Sequence, residues 1–512
     1  MAIQSEWTGI CPAGDGATLS SQVRYFAREK PDAPAVLTLE TCLTWRELDL
    51  CADRLANALT RFGLRKGDRL AWLGRNGPVF PVVLLAARRA GVILTGLNWR
   101  LSPAELVGIL DRTGPALIIG DTEFAGNVPC RFRFVDAGSG LDAFVAGASE
   151  APIDLSEPDD LSTLFFTSGT TGEPKALAYT CDSADRMTFA PNTLAFSPEA
   201  RLLIVAPVFH TAGWSWTLYG LAGGMTQIQL AVATPAAMFD ALEQLGATHA
   251  QWVPAILSDL LRENETRRIP KGQLKMVGYG ASPIAPSLLK ACLETFGCEF
   301  TQVYGMTEAV GPITHLPPSA HRNPDPLKSQ ATGTAGPDVR LRIIDAGGRY
   351  VAPGETGEIL AHLPYPAAVS WSPDGSVSAV TDLDGWLRTG DVGHIDADGY
   401  LTVTDRLKDM IITGGENVYP VEVEKVLSGL PGIADAAVFS VPDPKWGERV
   451  FAAVVPAEGA VFDPAVTLSL CRQQLAHYKC PARIFEVSTL PRNATGKVLR
   501  QDLRKSLFTD HA

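Results

Sequence analysis

TSGTTGEPKA, residues 167–176, carries four hydroxyl side chains and two glycines in ten residues and ends on Pro-Lys-Ala. Backbone N–H groups approach bound oxygens closely only where side chains are small, so Gly interleaved with Ser and Thr is the expected chemistry of an anion-holding loop. Ser168, Gly169, Thr170, Thr171 and Gly172 supply it. In the nucleotide-kinase phosphate loop the lysine follows the last glycine directly and a helix comes next. Here Glu173 and Pro174 intervene, and Lys175 leads into the apolar run ALAY, while TLFFT precedes the loop. The stretch therefore predicts a turn between two strands, a phosphate device of another kind. Taken alone, it reads equally well as a surface turn rich in Ser, Thr and Gly.

Outward from the loop, short apolar runs bounded by Gly or Pro recur: LIIG near 117, LLIVAPV at 202, MTQIQL at 225, AQWVP at 250 and MVGYG at 276. Helical patterns separate them. In residues 46–62, for example, Leu48, Cys51, Leu55, Ala58, Leu59 and Phe62 share one face. Such alternation predicts an α/β fold, with a large N-terminal domain of helix-covered β-sheets. After about residue 335 the punctuation becomes strand and turn (VRLRIID, GETGEILAHL, ADGYLTVTD), which predicts a β-rich subdomain. The charged segment DRLKD, 405–409, suits an exposed connection, so the boundary is placed there: residues 1–405 form the large domain and 406–512 a small mobile α/β domain.

A chain of 512 residues is too long for one ordinary core, and 46% hydrophobic with 20% charged residues is the balance of a globular enzyme. The net charge of -12, without a Lys/Arg run, gives no support to a nucleic-acid or anionic-membrane surface. Nine scattered cysteines without a C-x-x-C pair argue against a disulfide framework and a zinc site, and fit a cytoplasmic protein. The N-terminus lacks signal-peptide features, and the apolar stretch Val79 to Leu97 is broken by Arg88-Arg89, so no integral membrane association is expected.

Four further segments follow the glycine loop in order: YGMTEA at 304, GWLRTGD at 385, TDRLKDMIITGGENVYPVEVE at 404 and PRNATGKVLR at 491. With the loop they resemble the adenylate-forming superfamily of acyl-CoA synthetases, peptide-synthetase adenylation domains and luciferases. The resemblance spans nearly the whole chain and is strongest from 385 to 500. It implies an enzyme that activates a small-molecule carboxylic acid with ATP and Mg²⁺ to an acyl-adenylate and then passes the acyl group to coenzyme A. Two anions must meet in the first step, so cations and fixed donors have to screen them.

The resemblance also implies roles. Thr167 to Gly172 and Lys175 hold phosphates. Lys497 reaches the α-phosphate and the substrate carboxylate, Thr307 contacts the α-phosphate, and Glu308 carries Mg²⁺, a hard cation that favours carboxylate oxygen. Asp391 accepts from the ribose hydroxyls, with Arg406 beside it. Tyr304-Gly305 and Gly280-Ala281-Ser282 wall the adenine slot. Lys408 stands at the family hinge, and rotation there would withdraw Lys497 and present Gly414-Gly415-Glu416 to the thiol path. Trp446 flanks coenzyme A, a structural tryptophan being the competing reading.

VFHTAGWSWTLYGL, 208–221, matches the acyl-pocket segment of fatty- and aryl-acid ligases, with His210 near the carboxylate or gating the pocket and Trp214 and Trp216 at its floor. No Asp, Glu, Lys or Arg occurs between 202 and 238, which favours an apolar acyl or aryl acid over an amino acid. Three departures stand out: relatives have Lys-Gly and a nearby histidine where this chain has Lys175-Ala176 with Tyr179; PYPAAVSWSPDGSVSAV, 364–380, replaces a tyrosine-tryptophan-asparagine stretch; and Cys480 stands where some relatives place a basic residue. The alternatives are a stand-alone adenylation enzyme loading a carrier-protein thiol and a non-catalytic nucleotide-binding relative. Oligomeric state is left open, a homodimer being one alternative to a monomer.

Overall fold

The computed structural model describes residues 17–167, 175–188, 193–269, 272–282, 284–323, 325–407, 409–413, 416–443, 446–493 and 496–508. Three sheets organise these residues. Six strands of the thirteen-stranded sheet are parallel neighbours: Pro34–Leu37, Thr226–Gln229, Arg201–Ile204, His249–Trp252, Met276–Gly280 and Glu299–Gly305. At Glu299–Gly305 the sheet changes character, because the next strand, Pro312–Leu316, pairs with it antiparallel. Gly333–Ala335, Tyr400–Arg406, Trp386–Ile395, Gly357–His362 and Arg340–Ile344 continue it, all antiparallel. The β-rich region expected after residue 335 is therefore an extension of the main sheet, joined to it through backbone hydrogen bonds.

The eight-stranded sheet holds the glycine loop. Leu161–Thr167 and Lys175–Thr180 pair antiparallel, with Thr167 opposite Lys175, so the loop does join two strands. The divergent 364–380 stretch supplies a hairpin, Val369–Trp371 with Val377–Ala379, which adds to the edge of this sheet beside Lys175–Thr180.

The largest core lies between the two sheets. Leu70, Trp72 and Leu94 from one and Val36, Leu202 and Ile204 from the other meet helices Trp45–Phe62, Val79–Arg89 and Thr211–Ala222. Trp45–Phe62 begins with a capping box between Thr44 and Glu47 and ends on Gly63 in the left-handed region, and its Leu48, Leu55 and Leu59 are fully enclosed. Arg88 and Arg89 are buried, yet each is paired: Arg88 with Asp185 at 2.5 Å and Arg89 with Asp53 at 2.9 Å. Unpaired, such charges would be strongly destabilising inside a core.

The third sheet has five strands: Glu416–Val418, Ile411–Thr413, Gly447–Pro456, Ile433–Asp443 and Arg483–Glu486. With helices Pro420–Ser428 and Pro464–Gln474 it encloses its own core around Val438, Ala452 and Val454. The expectation of an exposed connection at 405–409 needs correction at its first residues. The strand Tyr400–Arg406 runs through them, and Asp405 is 4% exposed. Its carboxylate accepts the Val421 N–H at 2.9 Å, tying the last strand of the large sheet to the first helix of the small unit.

Candidate active site

Tyr304, Asp391 and Arg406 come from three strands and form one cluster. Asp391 and Arg406 are register partners on neighbouring strands, and Arg406 Nε lies 3.1 Å from Asp391 Oδ1. Tyr304, near the end of Glu299–Gly305, donates its hydroxyl to Asp391 Oδ2 at 2.6 Å. Asp391 is 3% exposed, so its two oxygens are held by a phenol and a guanidinium rather than by water. Burial, and then the Asp391 charge, push the Tyr304 phenol far above its ordinary range, so it remains a donor.

Directly after Tyr304 the chain makes a short 3₁₀ turn, Thr307–Ala309, at the point where the large sheet passes from parallel to antiparallel pairing. Ligands of open α/β sheets bind outside the carboxyl ends of the parallel strands, and the turn follows the carboxyl end of Glu299–Gly305. The Thr307 hydroxyl lies 3.3 Å from that of Thr211, the first residue of helix Thr211–Ala222. His210 precedes that helix. Its Nε2 and the Trp214 Nε1 are buried without a hydrogen-bond partner among the described residues, two polar atoms that a ligand would satisfy. Burial, with a smaller contribution from Arg100, depresses His210 to about 4, so the imidazole is neutral at ordinary pH. Trp214 packs edge-on against Phe165 and Tyr179, each at 5.3 Å.

The adenine-side residues have a steric logic. A Cβ on Gly280 would lie 2.2 Å from the Val303 carbonyl oxygen, so only glycine fits where Met276–Gly280 runs beside Glu299–Gly305. Ala281 turns with φ +65°, and Ser282 follows it half-buried. Gly305 is confined in the same way, with the Gly311 carbonyl oxygen 2.5 Å from an added Cβ. Thr167 and Lys175 flank the glycine loop, whereas Ser168, Gly169, Thr170, Thr171 and Gly172 lie outside the described residues, as do Lys408, Gly414 and Gly415. Glu416 opens the strand Glu416–Val418, and Trp446 is 45% exposed on the small unit.

Lys497 stands in a turn bounded by the bridge between Arg492 and Val498, its backbone N–H donating to Asn493 Oδ1 at 2.9 Å. The turn reaches the large body: a Cβ on Gly496 would lie 3.9 Å from Val253. Lys497 Nζ is 4.0 Å from Asp409, which lies 3.3 Å from Arg500, and Arg500 in turn pairs with Glu424 at 2.8 Å. Sequence reasoning assigns no role to Asp409, Arg500 or Arg100 and reads Tyr179 only as a departure, since their significance depends on partners far along the chain.

Among the described residues no group of three or more His, Cys, Asp or Glu could hold a metal. Glu308 with the Thr307 hydroxyl is a sparse oxygen donor set, which fits Mg²⁺, an ion commonly held by one or two carboxylates together with substrate phosphates.

Residues 23–368 match the family described as AMP-binding enzyme, and residues 422–497 match its C-terminal domain. The chain is 37% identical over 511 residues to the fatty acid–[acyl-carrier-protein] ligase ScoC of Streptomyces coeruleorubidus, covering 97% of each chain. It is 37% identical over 491 residues to a feruloyl-CoA synthase of Amycolatopsis sp, covering 94% of this chain and 97% of the relative. Among solved structures, ATP-bound MatB from Rhodopseudomonas palustris aligns with a TM-score of 0.87 at 28% identity, over 96% of this chain and 99% of that one. Its apo form aligns at 0.76 and 29% identity, over 97% and 100%. These matches run the length of the chain and take in both the sheet that carries Tyr304 and the unit that carries Lys497: the protein belongs to the AMP-binding enzyme family.

Proposed function

We infer that the protein is an AMP-forming acid–thiol ligase that converts an apolar acyl or aryl acid to its coenzyme A thioester. The observation that carries this reading is the convergence of Tyr304, Asp391 and Arg406 beside the Thr307–Glu308 turn, with the Lys497 turn reaching the same body.

In the first half-reaction a carboxylate oxygen attacks the α-phosphorus of ATP, the bond to the β-phosphate oxygen breaks, and pyrophosphate leaves. Mg²⁺, held by Glu308 and the phosphates, would neutralise charge on the leaving group. Asp391 accepts from the vicinal ribose hydroxyls, Tyr304 and Gly280-Ala281-Ser282 enclose the base, and Thr307 donates to an α-phosphate oxygen. Thr167, Lys175 and the loop between them take the outer phosphates. Lys497 bridges the two reacting anions and lowers their repulsion. In the second half the thiol sulfur attacks the acyl carbon, the thiol proton is lost, and AMP departs with the bonding pair.

The neutral His210 and the uncharged helix Thr211–Ala222 favour an acid without an ammonium group. Two units, 1–405 and 406–512, with a hinge near Lys408, fit the separate cores of the large and small sheets.

The test is carboxylate-dependent exchange of pyrophosphate into ATP over a panel of fatty, aryl and branched acids. Exchange with at least one apolar acid, followed by thioester on adding coenzyme A, is the expected outcome. Exchange without a coenzyme A thioester, but with loading of a carrier protein, would assign the alternative thiol, and silence with every acid would end the reading.

A further inference from the structure

Two segments in which the chain departs from its relatives meet at one turn. Tyr179, on the strand that leaves the glycine loop, donates its hydroxyl to the Thr307 carbonyl oxygen at 2.7 Å. Ala368, at the entry to the hairpin formed by the 364–380 stretch, donates its N–H to the Glu308 carbonyl oxygen at 3.0 Å. Two consecutive carbonyls of the Thr307–Ala309 turn are thus fixed from outside it. The two donors belong to one rigid piece, because Val369 and Ala178, the residues next to them, are register partners in the eight-stranded sheet.

The turn needs such support. Val310, which closes it, has φ +65°, a conformation that a β-branched residue adopts only where its surroundings impose it. The Thr307 carbonyl oxygen also accepts the Val310 N–H at 3.1 Å, so Tyr179 occupies its second lone pair. Tyr179 itself cannot swing aside: it is fully buried, with Phe165 at 4.9 Å and Trp214 at 5.3 Å from its ring.

We propose that Tyr179 and the 364–380 hairpin form a bracket that sets the orientation of Thr307 and Glu308, with Tyr179 a positioning residue for the adenylation half-reaction. The inference rests on the acid–thiol ligase reading. It also accounts for the divergent hairpin, which holds the strand beyond the glycine loop and the α-phosphate turn in one frame, so that outer and inner phosphates are met in fixed register.

Tyr179→Phe deletes one hydroxyl and keeps the ring. In the full-length protein it should slow carboxylate-dependent pyrophosphate exchange about tenfold and weaken calorimetric binding of ATP with Mg²⁺ by a similar factor, as removing a supporting hydrogen-bond partner commonly does. Binding of ATP without Mg²⁺, and thioester formation from supplied acyl-adenylate, engage Thr307 but not the Mg²⁺ at Glu308 and should fall less, by about threefold at most. Ala368→Pro, which removes the other donor, should reproduce the same selective signature. Wild-type exchange and Mg²⁺ response in both variants would overturn the bracket, and so would equal losses in both half-reactions. Failure of the wild-type protein to exchange with any acid would instead overturn the functional reading, so the two failures are distinguishable.

Discussion

The walls of the site and the lysine that completes it are held in opposite ways. Tyr304 and Asp391 stand on strands of one continuous sheet, and Asp391 is closed off from solvent between a phenol and a guanidinium. Lys497 stands on a turn of a different unit, with a side chain 35% exposed and the Asp409 carboxylate 4.0 Å away. Moving a wall residue would require breaking a ladder of backbone hydrogen bonds and the hydrogen bonds that hold the buried Asp391 carboxylate. Releasing the lysine requires giving up a partly solvated ion pair with Asp409, worth about 1 kcal/mol or less. Links between the units are also light, such as the Lys425 amine to Gln330 at 2.6 Å and Val421 N–H to Asp405 at 2.9 Å. On the proposed reading, the difference teaches that nucleotide recognition is built into the sheet, while Lys497 brings its positive charge from the separate small unit.

The largest expected effect separates the two regions by half-reaction. Lys497→Ala should lower acyl-adenylate formation by a factor on the order of a thousand, the scale of losing a charge stabiliser from a preorganised site. Thioester formation from supplied acyl-adenylate should be largely intact in that variant. Equal loss in both steps would defeat the idea that the lysine belongs to only one of two arrangements. Asp391→Asn is the matching probe of the wall. Ribose is present in ATP and in the acyl-adenylate alike, so both half-reactions should weaken, by roughly tenfold to a hundredfold, the worth of a charged hydrogen bond in a closed site. A defect confined to the first step would show that Asp391 does something other than hold the sugar.

The same contrast explains which features are legible in the sequence. The strand–loop–strand at 161–180 is readable because apolar runs and turn residues are local signals, while the pairing of Thr167 with Lys175 is seen only in the structure. The Tyr304, Asp391 and Arg406 cluster is readable only as a set of motifs, since 87 residues separate Tyr304 from Asp391 and no spacing rule crosses that gap. What stays hidden are single contacts with distant partners: Tyr179 with Thr307, and Arg500 with Asp409 and Glu424. The 364–380 hairpin escapes because its strands are three residues each and one of them is wholly exposed, too short for an alternating pattern to register. The boundary at 405 is blurred for a physical reason. A charge-rich segment suggests solvent, yet Asp405 is buried as an acceptor for two N–H groups, those of Val421 and Arg406.

Acid offers the smallest effect and a clean test of where the molecule is rigid. Burial holds His210, His249 and His315 at about 4, and lowers His321 as well, and all four stand in the large body. A histidine depressed on folding contributes stability above its unfolded value near 6.5, and that contribution is lost progressively as pH falls toward the folded value. Asp405, raised by burial to about 6, acts in the opposite sense: its folded form takes up a proton first, so acidification from pH 6 recovers part of what the histidines lose. The depressed histidines outnumber Asp405, so the thermal midpoint of the large body should fall between pH 7 and pH 5, by roughly 1 °C for each 1 kcal/mol in a body of about 400 residues. His249→Asn removes one of the opposing groups and should flatten that slope. Since His249 touches Thr248 and the Ala195 carbonyl within the large body, an unchanged slope in this variant would mean that the other buried histidines, His210, His315 and His321, carry the acid response without it.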